Sequence, residues 1–203
     1  MADRVLQTSV AAFLEPALEK EFEDCSFAYR RGRSVRMAIE RIYQLHLQGY
    51  TWVVDADIDH FFDNIDRDLV LGRLAQGSVV SPMLANLCLD SFDEQLLHSD
   101  CKLVRYSDDF VILARSQKSA QAALELTTKT LDGLRLKLKN SKTRVVRFAD
   151  GFRFLGVIFM KDLLLQQWKP GGAKRKILSV APPLPESLFP QTERRPLRKY
   201  KAI

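Results

Sequence analysis

Aspartates cluster in two short stretches of the sequence, and their setting suggests metal-dependent phosphoryl chemistry. The first stretch, residues 54–65, follows an apolar run and carries four acids: Asp55, Asp57, Asp59 and Asp63. The second places Asp108 and Asp109 between two apolar runs. Hard divalent cations such as Mg²⁺ prefer carboxylate oxygens, and two ions about 3.5–4 Å apart can activate a hydroxyl and steady a leaving phosphate. Taken separately, each stretch is more typical of solvated acids at a strand end or in a turn.

The elements that must position these acids are predicted from hydrophobic spacing. A helix is expected from Ser34 to about Leu47, followed by a strand at residues 50–58. Alternation along that strand gives it two faces, one with Trp52, Val54, Ala56 and Ile58, the other with Val53, Asp55 and Asp57. Residues 103–106 and 110–114 predict a tight hairpin with acids at its tip.

The remaining elements complete an α+β pattern. A helix is expected to begin at Ser81-Pro82, with an apolar stripe formed by Leu84, Leu87, Cys88, Phe92 and Leu96. Another helix is predicted over residues 119–136, and a second hairpin over 144–148 and 152–160 around Asp150-Gly151. Together these elements predict an antiparallel sheet backed by helices on one face.

Charge and composition exclude some functions and leave others open. The net charge is +6, but residues 161–203 hold ten Lys or Arg against three Asp or Glu, which is more than the whole excess. A polyanion-binding surface on the main domain must therefore be argued from individual residues. No apolar run is long enough to span a bilayer, the first residues do not resemble a signal peptide, and three cysteines without a Cys-x-x-Cys pair argue for a reducing cytosol and against structural zinc.

Several short motifs occur in a characteristic order. They are DRVLQ at residues 3–7, FAYRRGRS at 27–34, ADI at 56–58 with FFDNI at 61–65, QGSVVSP at 76–82 with LAN at 84–86, YSDD at 106–109, and KT at 142–143 with GFRFLG at 151–156. From Asp3 to about Met160 the chain resembles reverse transcriptases of the group II intron type. The resemblance implies a polymerase palm-type antiparallel sheet backed by helices, with partial fingers and a C-terminal linker.

The resemblance also implies a catalytic centre. Asp57 and Asp108 are expected to bind two Mg²⁺ or Mn²⁺ ions, assisted by the main-chain carbonyl of Ile58. Asp109 is expected as a third acid, which either touches metal or orients Asp108 or the primer end. The other acids of residues 54–65 are expected to be solvated or structural.

A nucleotide site is implied beside these acids. Phe62 stands where the family places an aromatic gate against the ribose 2′-hydroxyl; the alternative is an ordinary core phenylalanine. Gln76 and Gly77 are expected to line the site, although Gly77 also suits a simple turn before the Ser81 helix. Lys142 is expected to neutralise or protonate the leaving pyrophosphate, unless it is merely a solvated lysine.

Two arginines are candidates for nucleic-acid contact. Arg30 and Arg33 are expected to grip the template or its phosphates. The alternative is that they form a surface cap around the helix that begins at Ser34.

The chain departs from the family pattern in the middle. Only nine residues lie between Asp66 and Gln76, where relatives have a few dozen; this is either a true deletion or the omission of a disordered stretch. The expected organisation is partial fingers at residues 1–50, a palm with the catalytic motifs at 51–160, and a basic, Pro-rich linker to a further module at 161–203.

The predicted function is that of an RNA-directed DNA polymerase that copies an RNA or DNA template from a DNA primer with dNTPs. Residues 19–27 and the Pro-rich exit look most like reverse transcriptases fused to the CRISPR spacer-acquisition integrase, which implies cDNA synthesis for spacer capture and an integrase module as partner. The alternatives are a group II intron or other retroelement polymerase, and a catalytically silent palm serving as a scaffold or nucleic-acid-binding module. A prokaryotic cytoplasm without membrane attachment is expected.

Overall fold

The computed structural model describes residues 2–61, 81–161, 163–166 and 177–179. Within these ranges the helices are α1 (Ala2–Leu18), α2 (Val35–Leu47), α3 (Ser81–Leu97) and α4 (Gln117–Gly133). The three predicted helices are confirmed, with α4 shifted about two residues towards the N-terminus of its predicted range. Ser34 is the N-cap of α2, and its side chain accepts a hydrogen bond from the Met37 amide at 3.3 Å, as its residue type predicts.

The first sheet contains β1 (Trp52–Asp57), β2 (Lys102–Tyr106), β3 (Asp109–Ala114) and β4 (Arg144–Arg147). The strand order is β2-β3-β1-β4, and every neighbouring pair is antiparallel. The predicted β2–β3 hairpin is confirmed, and β1 lies in the interior of the sheet next to β3. The acids at the end of β1 and at the hairpin tip therefore lie at the same end of the sheet.

Apolar residues cover both faces of this sheet. Val54 and Ala56 pack in a core cluster with α3 and α4, whereas Val53 packs in a second cluster with α2 and the aromatic residues that follow β4. The predicted alternation along β1 is thus confirmed. The expectation of helices on one face alone is wrong, because Val53, Val111 and Leu113 make the opposite face apolar and α2 covers it.

A second antiparallel sheet contains β5 (Phe152–Phe154), β6 (Val157–Met160), β7 (Leu163–Gln166) and β8 (Ile177–Ser179), in that order. The predicted hairpin around Asp150-Gly151 is wrong: β4 pairs with β1, and β5 pairs with β6. A short 3₁₀ turn at Phe148–Asp150 separates the two sheets. The two-residue turn is instead Leu155-Gly156, whose φ values of 49° and 78° suit a type I′ turn.

Two further expectations need correction. The interpretation of residues 161–203 as linker fails for β7 and β8, which extend the second sheet by pairing outward from β6. The stripe predicted on α3 is also partly wrong, because Leu87 is 42% exposed, whereas Ala85 and Leu89 are buried. Among the helices described, none is long and apolar enough to cross a membrane.

Candidate active site

The antiparallel register brings the predicted acids together. Asp57, the last residue of β1, is paired directly with Asp109, the first residue of β3. Tyr106 pairs with Asp109 across the hairpin, so that Ser107 and Asp108 form a two-residue turn, here called the acidic turn. Directly opposed residues on neighbouring strands have Cβ atoms about 4.5–5.5 Å apart. Three carboxylates, one from β1 and two from the β2–β3 hairpin, therefore lie at the same end of the sheet.

A cleft of about 500 Å³ opens beside these acids. It lies between the end of the first sheet and the β5–β6 hairpin, and it brings acidic and basic side chains together. Its charged lining consists of Asp55, Asp57, Asp109, Lys142, Arg144 and Arg153. The turn at Leu155-Gly156 forms part of its wall. Such a mixture of charges suits a ligand that carries both metal cations and phosphate groups.

Two ion pairs cross the cleft. Lys142 donates from Nζ to Oδ2 of Asp57 at 2.5 Å, with the lysine side chain 57% exposed and the aspartate 14% exposed. Arg144 donates from Nε and Nη2 to Oδ2 of Asp55 at 3.0 and 2.9 Å. Since both cationic side chains are open to solvent, an anionic ligand can reach them and take the place of their aspartate partners.

The crowding of charge changes the proton affinities in the cleft. Asp109 is accessible as a whole residue but lines the cleft, where desolvation, with repulsion from Asp108 and Asp57, raises the pKa of its carboxyl to about 6. Desolvation also raises the pKa of Asp55 despite the opposing effect of Arg144. The hydrogen bond to Asp57 raises the pKa of Lys142, which is therefore protonated.

The donor set fits hard divalent cations in an open site. No group of three or more His, Cys, Asp or Glu residues forms a closed metal cage in the part of the chain that the structure describes. Mg²⁺ does not need such a cage, because it is usually bound by one or two carboxylates together with water and substrate phosphates. Asp57 in the cleft lining and Asp108 on the neighbouring acidic turn offer two such carboxylates.

The main chain after β1 is relevant to the third predicted ligand, Ile58. The Asp57 carbonyl accepts a hydrogen bond from the Lys139 amide at 2.9 Å, and the Asp59 amide donates to the Lys137 carbonyl at 2.8 Å. Both contacts point to the β4 side of β1. Because successive residues in an extended strand direct their main-chain groups to alternate sides, the Ile58 carbonyl is directed to the β3 side, where the acidic turn lies.

Some predicted site residues are not brought into the cleft. Phe62, Gln76 and Gly77 lie outside the described residues, as does Asp63. Asp59 does not line the cleft, and its carboxylate lies 3.8 Å from Nε2 of His60.

The prediction that Arg30 grips nucleic acid is wrong for this conformation. Its guanidinium is buried and bound to Glu19, with Nη2–Oε1 at 2.8 Å. The other donors go to the main-chain carbonyls of Phe22, Glu23 and Ser26. All five N–H groups of an arginine are thereby engaged inside the protein, so the contribution of Arg30 is to hold together the loop that precedes α2.

Arg33 is in a different situation. It donates from Nη1 to the Asp24 carbonyl at 3.0 Å and from Nη2 to the Asp24 carboxylate at 2.5 Å, and it lies over the Phe27 ring. The Asp24 side chain is 97% exposed, so a phosphate in solvent can compete for this arginine. Its assignment to nucleic-acid binding stays a prediction.

Sequence reasoning missed a buried residue directly behind the acidic turn. Arg105 on β2 is fully buried and forms a bidentate ion pair with Asp93 of α3, with Nε–Oδ1 at 2.8 Å and Nη2–Oδ2 at 2.5 Å. Its Nη1 donates to Oδ1 of Asn86 at 2.9 Å and to the Ser107 carbonyl at 3.1 Å. The available signal was a lone arginine in an apolar strand, since a buried charge requires partners.

Comparisons with known proteins agree with this geometry. The family model described as reverse transcriptase (RNA-dependent DNA polymerase) matches residues 70–159. This range includes Asp108, Asp109 and Lys142 but not Asp57. Protein YkfC of Escherichia coli (strain K12) is 27% identical over 230 residues, covering 77% of this chain and 60% of the relative. Since 230 residues exceed the whole chain, the alignment includes positions that this chain lacks, in agreement with a shortened internal segment.

An intron-encoded relative and a solved structure add to this. The group II intron-encoded protein LtrA of Lactococcus lactis subsp. cremoris is 28% identical over 141 residues, covering 53% of this chain and 23% of the relative. Apo telomerase from Candida tropicalis, truncated from its C-terminal domain, superposes with a TM-score of 0.57 at 12% identity, covering 77% of this chain and 43% of the other. The chain thus spans 60% of the length of YkfC, 43% of the telomerase chain and 23% of LtrA.

These findings bear on the fold and on the kind of reaction. The mixed helices and antiparallel sheet have the fold of palm-containing polymerase domains, as predicted. The family match and the intron-encoded relative support an RNA-directed DNA polymerase, also as predicted.

Proposed function

We propose that this chain is the palm portion of a reverse transcriptase and that its cleft carries out nucleotidyl transfer. The observation that carries the proposal is the direct pairing of Asp57 with Asp109 beside the acidic turn that holds Asp108. This arrangement places carboxylates at one end of the first sheet, next to a cleft that also contains positively charged groups. Phosphoryl transfer depends mainly on such positioning and on charge neutralisation.

Asp57 and Asp108, with the Ile58 carbonyl, are the proposed ligands of two Mg²⁺ or Mn²⁺ ions. When bound, such ions activate the attacking hydroxyl and stabilise the leaving phosphate. Asp109 supports this pair: its carboxyl adds negative charge and lies opposite Asp57 in the sheet register.

Lys142 is proposed to act on the leaving pyrophosphate. Its ammonium group already lies at the cleft, paired with Asp57 and 57% exposed. Because its pKa is raised, Lys142 is protonated. It can therefore neutralise the charge of a phosphate and donate a proton to it. Arg153, also in the cleft lining, is a second candidate for phosphate contact.

Nucleotide selection is assigned to residues 62–77. Phe62 is proposed as the gate that discriminates against a ribose 2′-hydroxyl, with Gln76 and Gly77 lining the nucleotide site. These roles rest on the resemblance of FFDNI and QGSVVSP to reverse transcriptase motifs.

The biological setting is proposed from the sequence of residues 19–27 and the Pro-rich exit. These suggest cDNA synthesis for CRISPR spacer acquisition, with an RNA or DNA template, a DNA primer, dNTPs and an integrase module as partners. A role in a group II intron or another retroelement is the alternative. A prokaryotic cytoplasm is proposed because all three cysteines are free thiols, which suits a reducing compartment.

The proposal is tested by Mg²⁺- or Mn²⁺-dependent extension of a DNA primer on an RNA template. Asp108→Asn should lower the extension rate on the order of 10²–10³-fold, as expected for loss of a group that stabilises a charged transition state. Asp132→Asn, which removes an exposed carboxylate on α4 that is not among the residues lining the cleft, is the matched control and should leave the rate unchanged. Extension by the wild type that Asp108→Asn does not alter would refute the assignment.

A silent palm gives a different result. In that case the wild type extends no primer under any metal condition, although it still binds metal or nucleic acid.

A further inference from the structure

Arg105 connects two separate parts of the chain through one buried side chain. Its guanidinium is 0% exposed and binds Asp93 and Asn86 from α3 as well as the carbonyl of Ser107 in the acidic turn. Four of its five N–H groups are used in these contacts. The same arginine therefore faces a helix on one side and the turn that carries Asp108 on the other.

The acidic turn requires support from outside itself. Ser107 has a φ of 63°, a left-handed conformation that residues other than glycine rarely adopt. Its hydroxyl is buried and has no hydrogen-bond partner among the described atoms, so the side chain does not hold the turn. The hydrogen bond from Arg105 to the Ser107 carbonyl supplies a fixed contact at this strained residue.

The main chain of Arg105 joins a third segment to the same point. Its amide donates to the Cys25 carbonyl at 2.8 Å, and its carbonyl accepts from the Phe27 amide at 2.9 Å. Asn86, which accepts from Arg105, also donates from Nδ2 to the Ala28 carbonyl at 2.8 Å. The loop before α2, helix α3 and the acidic turn are thus fixed relative to one another.

We infer that Arg105 is a positioning residue that fixes the acidic turn, and with it Asp108, relative to helix α3. The inference rests on the proposed function insofar as Asp108 is taken to bind metal. Helix α3 begins at Ser81, four residues after Gly77 of the proposed nucleotide site. Arg105 is therefore placed to set the spacing between the metal-binding turn and the element that follows the nucleotide-binding segment.

This role accounts for a buried charge that stability alone does not require. A buried ion pair can often be replaced by apolar residues of similar volume without loss of stability. Such a replacement, however, would leave no donor for the Ser107 carbonyl. Groups that orient metal ligands through hydrogen bonds typically contribute 10–100-fold to metal affinity, so the double replacement separates positioning from stability.

The test compares the double variant Arg105→Met with Asp93→Leu, the single variant Arg105→Lys, and Leu131→Ala as a control. Leu131→Ala creates a cavity in the core cluster that α3 and α4 share, but Leu131 lies on α4, whereas the side-chain contacts of Arg105 are made with α3 and the acidic turn. Three quantities are measured: Mn²⁺ affinity of the protein by electron paramagnetic resonance, melting temperature, and hydrogen exchange of the amides of residues 106–109 in metal-free protein.

We expect the double variant to melt near the wild type, yet to bind Mn²⁺ roughly ten-fold more weakly and to exchange faster at residues 106–109. Leu131→Ala should have a lower melting temperature than the wild type and an unchanged Mn²⁺ affinity. The inference is overturned if the double variant matches the wild type in affinity and exchange. If the double variant does not fold, Arg105→Lys takes its place. Weaker Mn²⁺ binding and faster exchange at residues 106–109 than in Leu131→Ala would then support the inference, and equal values would overturn it. A wild type that binds no Mn²⁺ refutes the proposed metal chemistry, whereas hydrogen exchange still decides whether Arg105 holds the turn.

Discussion

The two sides of the acidic turn differ in how their charges are held. On the core side, Arg105 and Asp93 are both 0% exposed, and two nitrogens of the arginine, Nε and Nη2, donate to the carboxylate. On the cleft side, Lys142 and Asp57 are joined by a single contact, and the lysine side chain is 57% exposed. The cleft-side charges can therefore exchange partners with ligands, whereas the core-side charges cannot.

This difference separates support from chemistry. A buried ion pair has no solvent to replace a lost partner, so removing one member leaves an uncompensated charge. An exposed pair loses little when it opens, because water and salt screen it. The fixed ion pair, Arg105–Asp93, thus lies on the core side of the acidic turn, and the exchangeable pair, Lys142–Asp57, lies on its cleft side. The following predictions test this contrast, from the largest expected effect to the smallest.

The largest effect is expected from breaking the core-side pair alone. Asp93→Leu leaves the Arg105 charge buried without its carboxylate, and the free energy of unfolding should fall by about 3–5 kcal/mol. Glu40→Leu, which removes one member of the partly exposed Arg36–Glu40 pair on α2, should change it by no more than about 1 kcal/mol. Urea denaturation measures both, and equal losses would contradict the contrast.

A smaller effect, on catalysis rather than stability, is expected on the cleft side. Lys142→Met should lower the rate of primer extension about 10²-fold, the lower range for removing a proton donor, with little change in the melting temperature. Lys137→Met removes an exposed lysine from the nearby segment that pairs with residues 57–59 and serves as the control. If both variants retain the wild-type rate, Lys142 does not act on the leaving group.

The smallest effect is a pH dependence of metal binding. Because the pKa of Asp109 is raised to about 6, its carboxyl is largely neutral at pH 5 and largely charged at pH 7. Mn²⁺ affinity should therefore rise as the pH increases through about 6, by at most about ten-fold per pH unit for one proton released. Titrations at several pH values measure this, and Asp109→Asn should flatten the curve in that range. A curve of the same slope in the variant would assign the dependence to another group.

The sequence predicted the local parts of this architecture well. Alternation identified β1 and its two faces, Ser34 identified the start of α2, and the YSDD motif identified the hairpin with its acids. These features depend on neighbours within a few residues, so local spacing determines them. The second hairpin was predicted at Asp150-Gly151 because these two residue types favour a turn. In the structure β4 and β5 do not pair, and Phe148, Phe152 and Phe159 pack together where the two sheets separate.

Of the site, the sequence determined which carboxylates are present, and their motifs indicated what they are for. Only the tertiary structure decided that Asp57 pairs with Asp109, that the guanidinium of Arg30 is bound inside the protein, and that Arg105 donates a hydrogen bond to the acidic turn. The physical reason is that these facts depend on contacts between residues distant in sequence. An arginine gives the same local signal in each position, and only the partners that the fold brings to it determine whether it binds a ligand or holds a turn.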